Sequence, residues 1–294
     1  MTTRRGILKG LLGAILAGFF TAFYAVVGEP ILRLRVQRWQ VKPKGWTAGP
    51  LRIAIVSDLH MGDPFVTLAR LQDIVARVNA LEPDITVILG DLIAGHRFLT
   101  RQVKVADTAR VLAGLAAPLG VHAILGNHDW WDDRGAQKRG HGPIITQLAL
   151  EAAGIPVLEN RAVKLGTGDA AFWLAGLGDQ WALHNKAGMY GVDDLPGTLA
   201  QLIDDAPAIL LAHEPDIFAV VPDRVALTLS GHTHGGQIRL FGWSPVVPSR
   251  FGNRYAYGVV QEGARHLVVS GGIGCSIAPV RFGMPPEITV VELA

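Results

Sequence analysis

Cysteine is almost missing from this chain: Cys275 stands alone among 294 residues, which excludes an internal disulfide framework. Cys275 itself is read as a small buried apolar residue. An excess of charge is missing too, with 27 Lys and Arg against 25 Asp and Glu, a net +2. That balance gives no support for a nucleic-acid partner. The chain holds no internal repeat and no low-complexity tract, so one main domain is the economical reading. Apolar residues, by contrast, make up 49% of the chain, ample for a large core.

The apolar content begins early. Gly10 to Val27 is an uncharged apolar stretch of roughly 18 residues, at the lower edge of what spans a bilayer. Before it lies Thr3-Arg4-Arg5-Gly6-Ile7-Leu8-Lys9, which is similar to a twin-arginine export pattern, with Ile7 where Phe is more usual. Ala22-Phe23-Tyr24-Ala25 has the wrong spacing for an Ala-x-Ala cleavage site, so the segment is expected to stay as a membrane anchor, in a bacterial inner membrane. The side on which the rest of the chain lies stays open. Arg33, Arg35, Arg38, Lys42 and Lys44 after the span favour the cytoplasm by the positive-inside rule, whereas export places it outside. Leu32, Leu34 and Val36 alternate with Arg33, Arg35 and Gln37, the pattern of a half-buried strand with a charged outer face. This divides the chain into an anchor over 1–28, a strand and linker over 29–50, and a main domain over 51–294.

From Leu51 the pattern is strand, helix, strand. Leu51–Val56 is a buried strand by length and residue type, and Leu68, Leu71, Ile74, Val75 and Val78 have helical spacing within Phe65–Leu81. A strand over Asp84–Leu89, a helix over Gln102–Leu115 and a strand over Val121–Leu125 follow. This alternation predicts an α/β fold with a partly parallel sheet and helices on its outer face. Further strands are expected over 171–175, 208–212, 226–229, 266–269 and 287–292, with fewer helices between them. Two sheets packed face to face, helices outside, would accommodate them.

Most of the chemistry sits directly behind apolar runs. Asp58-Leu59-His60, Gly90-Asp91, Gly126-Asn127-His128-Asp129, His213 and Gly231-His232-Thr233-His234 supply three carboxylates, an amide and five imidazoles. A strand with an abrupt polar end is how α/β proteins hold reactive groups at one rim of a sheet. Oxygen and nitrogen donors in this number, without a thiolate, suit a pair of divalent ions rather than one structural zinc. In extended geometry Asp58 and His60 leave the same face, as do His232 and His234. The two oxygens of Asp91 could bridge two cations, and Gly90, Gly126 and Gly231 allow close backbone approach.

The series resembles the calcineurin-like metallophosphoesterases, whose Asp-x-His, Gly-Asp, Gly-Asn-His-Asp/Glu, His and Gly-His-x-His motifs are all present from Leu51 onward. The stretch from Gly231 to Arg239, with Pro279-Val280-Arg281 and Pro285-Pro286-Glu287, resembles a branch of membrane-anchored bacterial phosphodiesterases. Some of that branch act on UDP-2,3-diacylglucosamine in lipid A synthesis, and others are exported by the twin-arginine route. The resemblance implies a four-layer α/β/β/α sandwich of two mixed sheets with a dinuclear site at the strand C-terminal ends. It implies one ion on Asp58, His60, Asp91 and His234, and a second on Asp91, Asn127, His213 and His232. Mn, Zn and Fe all suit such donors. Cations about 3.5–4 Å apart can share a hydroxide for in-line attack on phosphorus. By the same resemblance His128 stabilises or protonates the leaving oxygen, and Asp129 is placed to orient it, unless its carboxylate only binds local backbone.

Other residues are candidates for the substrate rim. Trp130 and Trp131 would bind a base or an acyl chain if exposed, or pack in the core. Asp179, Trp181 and His184 fall in a loop after a strand. Arg239, Arg250, Arg254 and Arg281 could each clamp a phosphate, Arg281 first because it lies in the branch pattern. His96, His122, His141 and His266 are read as ordinary surface or core histidines. The reading is a membrane-anchored phosphoesterase that cleaves a phosphodiester or pyrophosphate, with a lipid-linked substrate such as UDP-2,3-diacylglucosamine first in line. The alternatives are an exported phosphodiesterase or phosphatase acting on soluble esters, and last a non-catalytic scaffold.

Overall fold

A computed structural model describes residues 3–294. Two sheets form its centre. In the first, strands run in the order Arg35–Val41, Glu287–Leu293, Leu51–Val56, Ile85–Ile88, Val121–Ala123. Leu51–Val56, Ile85–Ile88 and Val121–Ala123 are mutually parallel, and Glu287–Leu293 is antiparallel to Leu51–Val56. The second sheet runs Gly258–Glu262, Arg265–Val269, Val225–Ser230, Ala208–Leu211, Phe172–Gly176, Arg161–Leu165. Its inner four strands are parallel and both edges are antiparallel.

Side-chain alternation shows why the sheets stack. Ile53 and Ile55 point into a core shared with Leu174, Ile209, Leu211, Leu227, Leu229 and Val268 of the other sheet. Ala54 and Val56, one residue out of phase, meet helices instead, as the two-residue period of a strand requires. Those helices are Leu68–Asn79, Val105–Leu112 and Ile145–Ala152, contributing Leu71, Ile74, Val78, Leu112 and Leu150. Thr67 caps the first by accepting from Arg70 N at 3.1 Å. The far face of the second sheet has a thinner cover than the resemblance implies. Leu210, Ala212 and Leu267 pack on the 3₁₀ turn Pro215–Ala219 and on Tyr255, and the helix Leu195–Leu199 is only five residues long. Pro215 and Pro222 leave no room for a long helix between the strands there.

Two edge strands carry no signal strong enough to find in advance. Arg161–Leu165 and Gly258–Glu262 are half exposed, so one-sided burial leaves little apolar alternation. The strand expected near Leu32 starts later, at Arg35, and in the opposite phase. Arg35, Gln37, Trp39 and Val41 form its more buried side, because the Arg35 guanidinium turns inward to the buried Glu287 at 2.7 Å and to the Tyr257 hydroxyl.

Before it, Arg4–Phe23 is an α-helix with no buried residue, about 30 Å long, continued by the π-helical segment Tyr24–Leu32. Together they are long and apolar enough to cross a membrane. The far end of this helix is docked, not loose. The buried Glu29 accepts from Gly283 N at 3.1 Å and Met284 N at 2.5 Å. Arg281 N donates to Ala25 O at 2.9 Å, and Tyr24 packs edge-on against Phe282.

Ile55, wholly buried between the sheets, reports on that stacking. Ile55→Ala is expected to cost about 3 kcal/mol, measured as a lower urea midpoint at unchanged slope in detergent micelles.

Candidate metal centre

Every string of the polar series emerges at the C-terminal end of a parallel strand. Asp58 and His60 follow Leu51–Val56, Asp91 follows Ile85–Ile88, and Asn127 follows Val121–Ala123. From the second sheet come His213, after Ala208–Leu211, and His232 and His234, after Val225–Ser230. The backbone there is not extended. Asp58, His60, Asp91, His232 and His234 all have φ between 42° and 66°, the left-handed region that non-glycine residues avoid. Bonds between adjoining loops hold them so: Asp58 N donates to Gly90 O at 3.1 Å, His60 N to Asp91 O at 3.0 Å, and Gly274 N to Asp58 O at 2.7 Å. Side chains therefore converge by local turns rather than by strand alternation. Gly126 and Gly231 make this possible, since a Cβ at either would strike the carboxylate of Asp91 or Asp58.

The result is one buried cluster with Asp91 at its centre. Asp91 Oδ2 lies 3.5 Å from His60 Nε2 and 3.3 Å from His213 Nε2. His234 Nε2 is 3.4 Å from Asp58 Oδ1 and 3.0 Å from His60 Nε2, and His232 Nδ1 is 3.0 Å from Asn127 Oδ1. Asp58, His60 and His234 form one group able to hold a cation, and Asp91, His213 and His232 form another.

Electrostatics suit that use. Burial lowers His60 and His232 to about 3 and His234 well below its usual value, which leaves neutral imidazoles with free lone pairs. Burial raises Asp58 to about 6. It also works to raise Asp91, but His213 and His128 outweigh it and hold that carboxylate well below its usual range. His213 is raised despite its burial, chiefly by Asp91. Nε2 of His232, a neutral imidazole, is buried without a hydrogen-bond partner. Unpaired imidazole nitrogens among carboxylates in a dry site are costly unless a cation takes their lone pairs. The residues therefore fit a divalent pair.

His128 is the second residue of the helix Asn127–Asp132, and its backbone N–H donates to Asp91 Oδ1 at 2.8 Å. Its ring lies edge-on to His60, with Nε2 3.3 Å from Ser276 Oγ. Asp129 does not reach that ring. Its carboxylate accepts from Asp91 N at 2.9 Å, Leu92 N at 3.0 Å and Gly126 N at 3.0 Å. It ties the loops carrying Asp91 and Asn127 together, and burial, with Asp91 close by, raises it to about 7.

The expected substrate rim is only partly in place. His184 is exposed and packs on Trp131, which in turn packs on His128. Trp130 is buried in the core, so the tryptophans facing the cavity are Trp131 and Trp181. Asp179 is buried behind the cluster rather than on a rim. It sits with Glu214 and His213, and burial plus the Glu214 charge hold it well above its usual range. Glu214 went unnoticed in the sequence, though an acid directly after His213 was a signal. Arg281 is fully buried, donating to the carbonyls of Gly271, Gly274 and Met284 with Nη2 3.1 Å from His234 Nδ1. It braces the loop under His234 and cannot clamp a phosphate in the cavity.

A sandwich of two sheets with a buried carboxylate–imidazole cluster where parallel strands end defines a metal-dependent hydrolase. Residues 51–236 match the family model described as calcineurin-like phosphoesterase. The chain is 35% identical over 301 residues to the uncharacterized metallophosphoesterase YkuE of Bacillus subtilis, covering 99% of this chain and 97% of that one. It is 33% identical to the phosphodiesterase YaeI of Escherichia coli, over 84% of this chain and 83% of that one. A transmembrane protein with a metallophosphoesterase domain from Danio rerio is 30% identical over 83% of this chain, which spans 53% of that protein. The chain belongs to the calcineurin-like metallophosphoesterases and is a hydrolase of that family.

Asp129→Ala leaves three main-chain N–H groups without their acceptor. It is expected to destabilise the protein by about 3 kcal/mol, read from urea denaturation in micelles. A purely ring-orienting Asp129 would leave stability nearly unchanged.

Proposed function

We propose that the chain is a membrane-anchored, two-ion phosphodiesterase acting on an amphiphilic phosphodiester or pyrophosphate. The observation that carries the chemistry is the pair of buried donor groups meeting at Asp91. In this reading Asp58, His60, Asp91 and His234 hold one ion, and Asp91, Asn127, His213 and His232 hold the other. When bound, such a pair supplies Lewis-acid polarisation of the phosphoryl oxygens and a nucleophilic water acidic enough to ionise near neutral pH.

The rest falls to the chain. His128, mostly buried with its ring at the cavity wall, faces the leaving oxygen and gives it a proton, with Ser276 steadying Nε2. Asp129 holds the backbone that presents Asp91 and Asn127. Trp131 and Trp181 exclude water on one side, fixed together by a 2.8 Å bond from Trp131 Nε1 to Trp181 O.

Two clefts meet at His128 and Trp131. One, of about 450 Å³, is walled mainly by apolar groups that include Ile238, Val246 and Ile277. The other, of about 610 Å³, is polar and carries His96, Arg97 and Arg101. A phosphorus centre at their junction with an apolar arm on one side and a polar, anionic arm on the other fits both. The apolar N-terminal helix supports a substrate at the bilayer, and UDP-2,3-diacylglucosamine is the first compound of this shape to try.

Asp91→Asn is expected to empty both sites, lowering bound metal by mass spectrometry and turnover roughly a thousandfold. His128→Ala should keep its metal and lose roughly a hundredfold or more on an alkyl phosphodiester, with a smaller loss on a 4-nitrophenyl ester whose leaving group needs no proton. Full metal content with undiminished alkyl-ester turnover would remove His128 from this role. Fast hydrolysis of aryl esters with none of the diacylated substrate would move the reading to soluble phosphate esters.

A further inference from the structure

The loops beyond His234 carry an apolar surface that neither the core nor the cluster uses. Leu240 and Trp243 bond to each other's backbone at 2.8 and 2.9 Å, closing a turn with Phe241 at its tip. Phe241 is fully exposed, Ile277 is 80% exposed and Trp243 59%, and the exposed Val246 lines the apolar cleft together with Ile277. Single exposed apolar residues are ordinary, but a cluster of large ones marks a contact surface.

The position of this cluster says what covers it. Arg239 N donates to Phe282 O at 2.8 Å, and Phe282 is the residue packed against Tyr24 at the end of the apolar helix. Gly283 and Met284 are the ones held by Glu29. The turn thus begins one residue from the segment that receives the helix, within reach of the plane where that helix leaves a bilayer. The charge agrees. Between Asp223 and Glu287 the sole acidic residue is Glu262, which is paired with Arg254 at 2.7 Å. Arg239 and Arg250 make no ion pair among the described residues; Arg239, next to the turn, donates to Ser244 Oγ at 3.2 Å and lies over the Tyr257 ring, which leaves its charge without an acidic partner. Tryptophan with basic neighbours is the composition of a membrane interface, and anionic headgroups attract such cations.

We infer that the Leu240–Trp243 turn and Ile277 form a second membrane contact, inserted into the bilayer interface beside the N-terminal helix. The apolar cleft, lined by Val246 and Ile277, then opens toward lipid rather than bulk water. The inference rests on the membrane anchoring proposed above, and its test separates the two.

Spin labels are placed one at a time in the full chain by Phe241→Cys, Ile277→Cys, Leu16→Cys and Ile203→Cys, all exposed positions, with the buried Cys275 as unlabelled background. Each protein is reconstituted in mixed phosphatidylcholine and phosphatidylglycerol vesicles. Collisions with oxygen and with a water-soluble nickel chelate then give the depth of each label. Labels at 241, 277 and 16 are expected to favour oxygen, and the label at 203 to favour nickel. Labels at 241 and 277 as open to nickel as 203, with 16 still shielded, would overturn the membrane contact and leave the anchor standing. A nickel-accessible label at 16 would remove the anchor and this inference together.

Discussion

The structure depends on keeping the Asp91 carboxylate charged in a place where water cannot reach it. Burial alone would protonate it. His213 and His128 hold it ionised instead, and the backbone N–H of His128 gives Oδ1 a partner. Holding so many donors around one carboxylate demands left-handed backbone at five non-glycine residues, at about 1–3 kcal/mol each. Two stacked sheets with a continuous core supply the rigidity to keep them there. The site thus carries left-handed backbone at five residues, set on a wholly buried core.

Much of this could be seen in the sequence, for a definite reason. A residue such as Asp91 stands out because it follows a largely apolar run, and in a parallel sheet such ends collect along one edge. The stacking was legible too, since the later strands have few helices between them and need another sheet to cover their apolar faces. Less visible were features that local composition does not encode. Nothing about Asp58 or His232 as residue types announces a left-handed conformation, which is imposed by bonds to distant loops. Asp129 next to His128 suggests a ring partner, but the carboxylate is captured by nearer main-chain donors. Arg35 reads as solvent-facing until Glu287, far along the chain, comes to lie beneath it. Arg281 and Asp179 carry the charges of surface residues, and only the tertiary fold places them inside.

The two sheets also divide the labour. The first brings the carboxylates, the amide and His60, the second the imidazoles of His213, His232 and His234, and neither alone assembles a complete set. Family membership agrees with this design, and the matched region 51–236 stops before the loops that shape the apolar cleft. Those later loops, with residues 281–284, are where this chain brings its N-terminal helix and its chemistry together.

That junction makes the leading helix a structural strut. Arg281 spans from Ala25 on one side to the ring of His234 on the other, while Glu29 clasps the two residues that follow Phe282. A chain trimmed of its leading helix would forfeit these braces. Its His234 loop would relax, so kinetics measured on the shortened form would describe a looser catalyst than the untrimmed one.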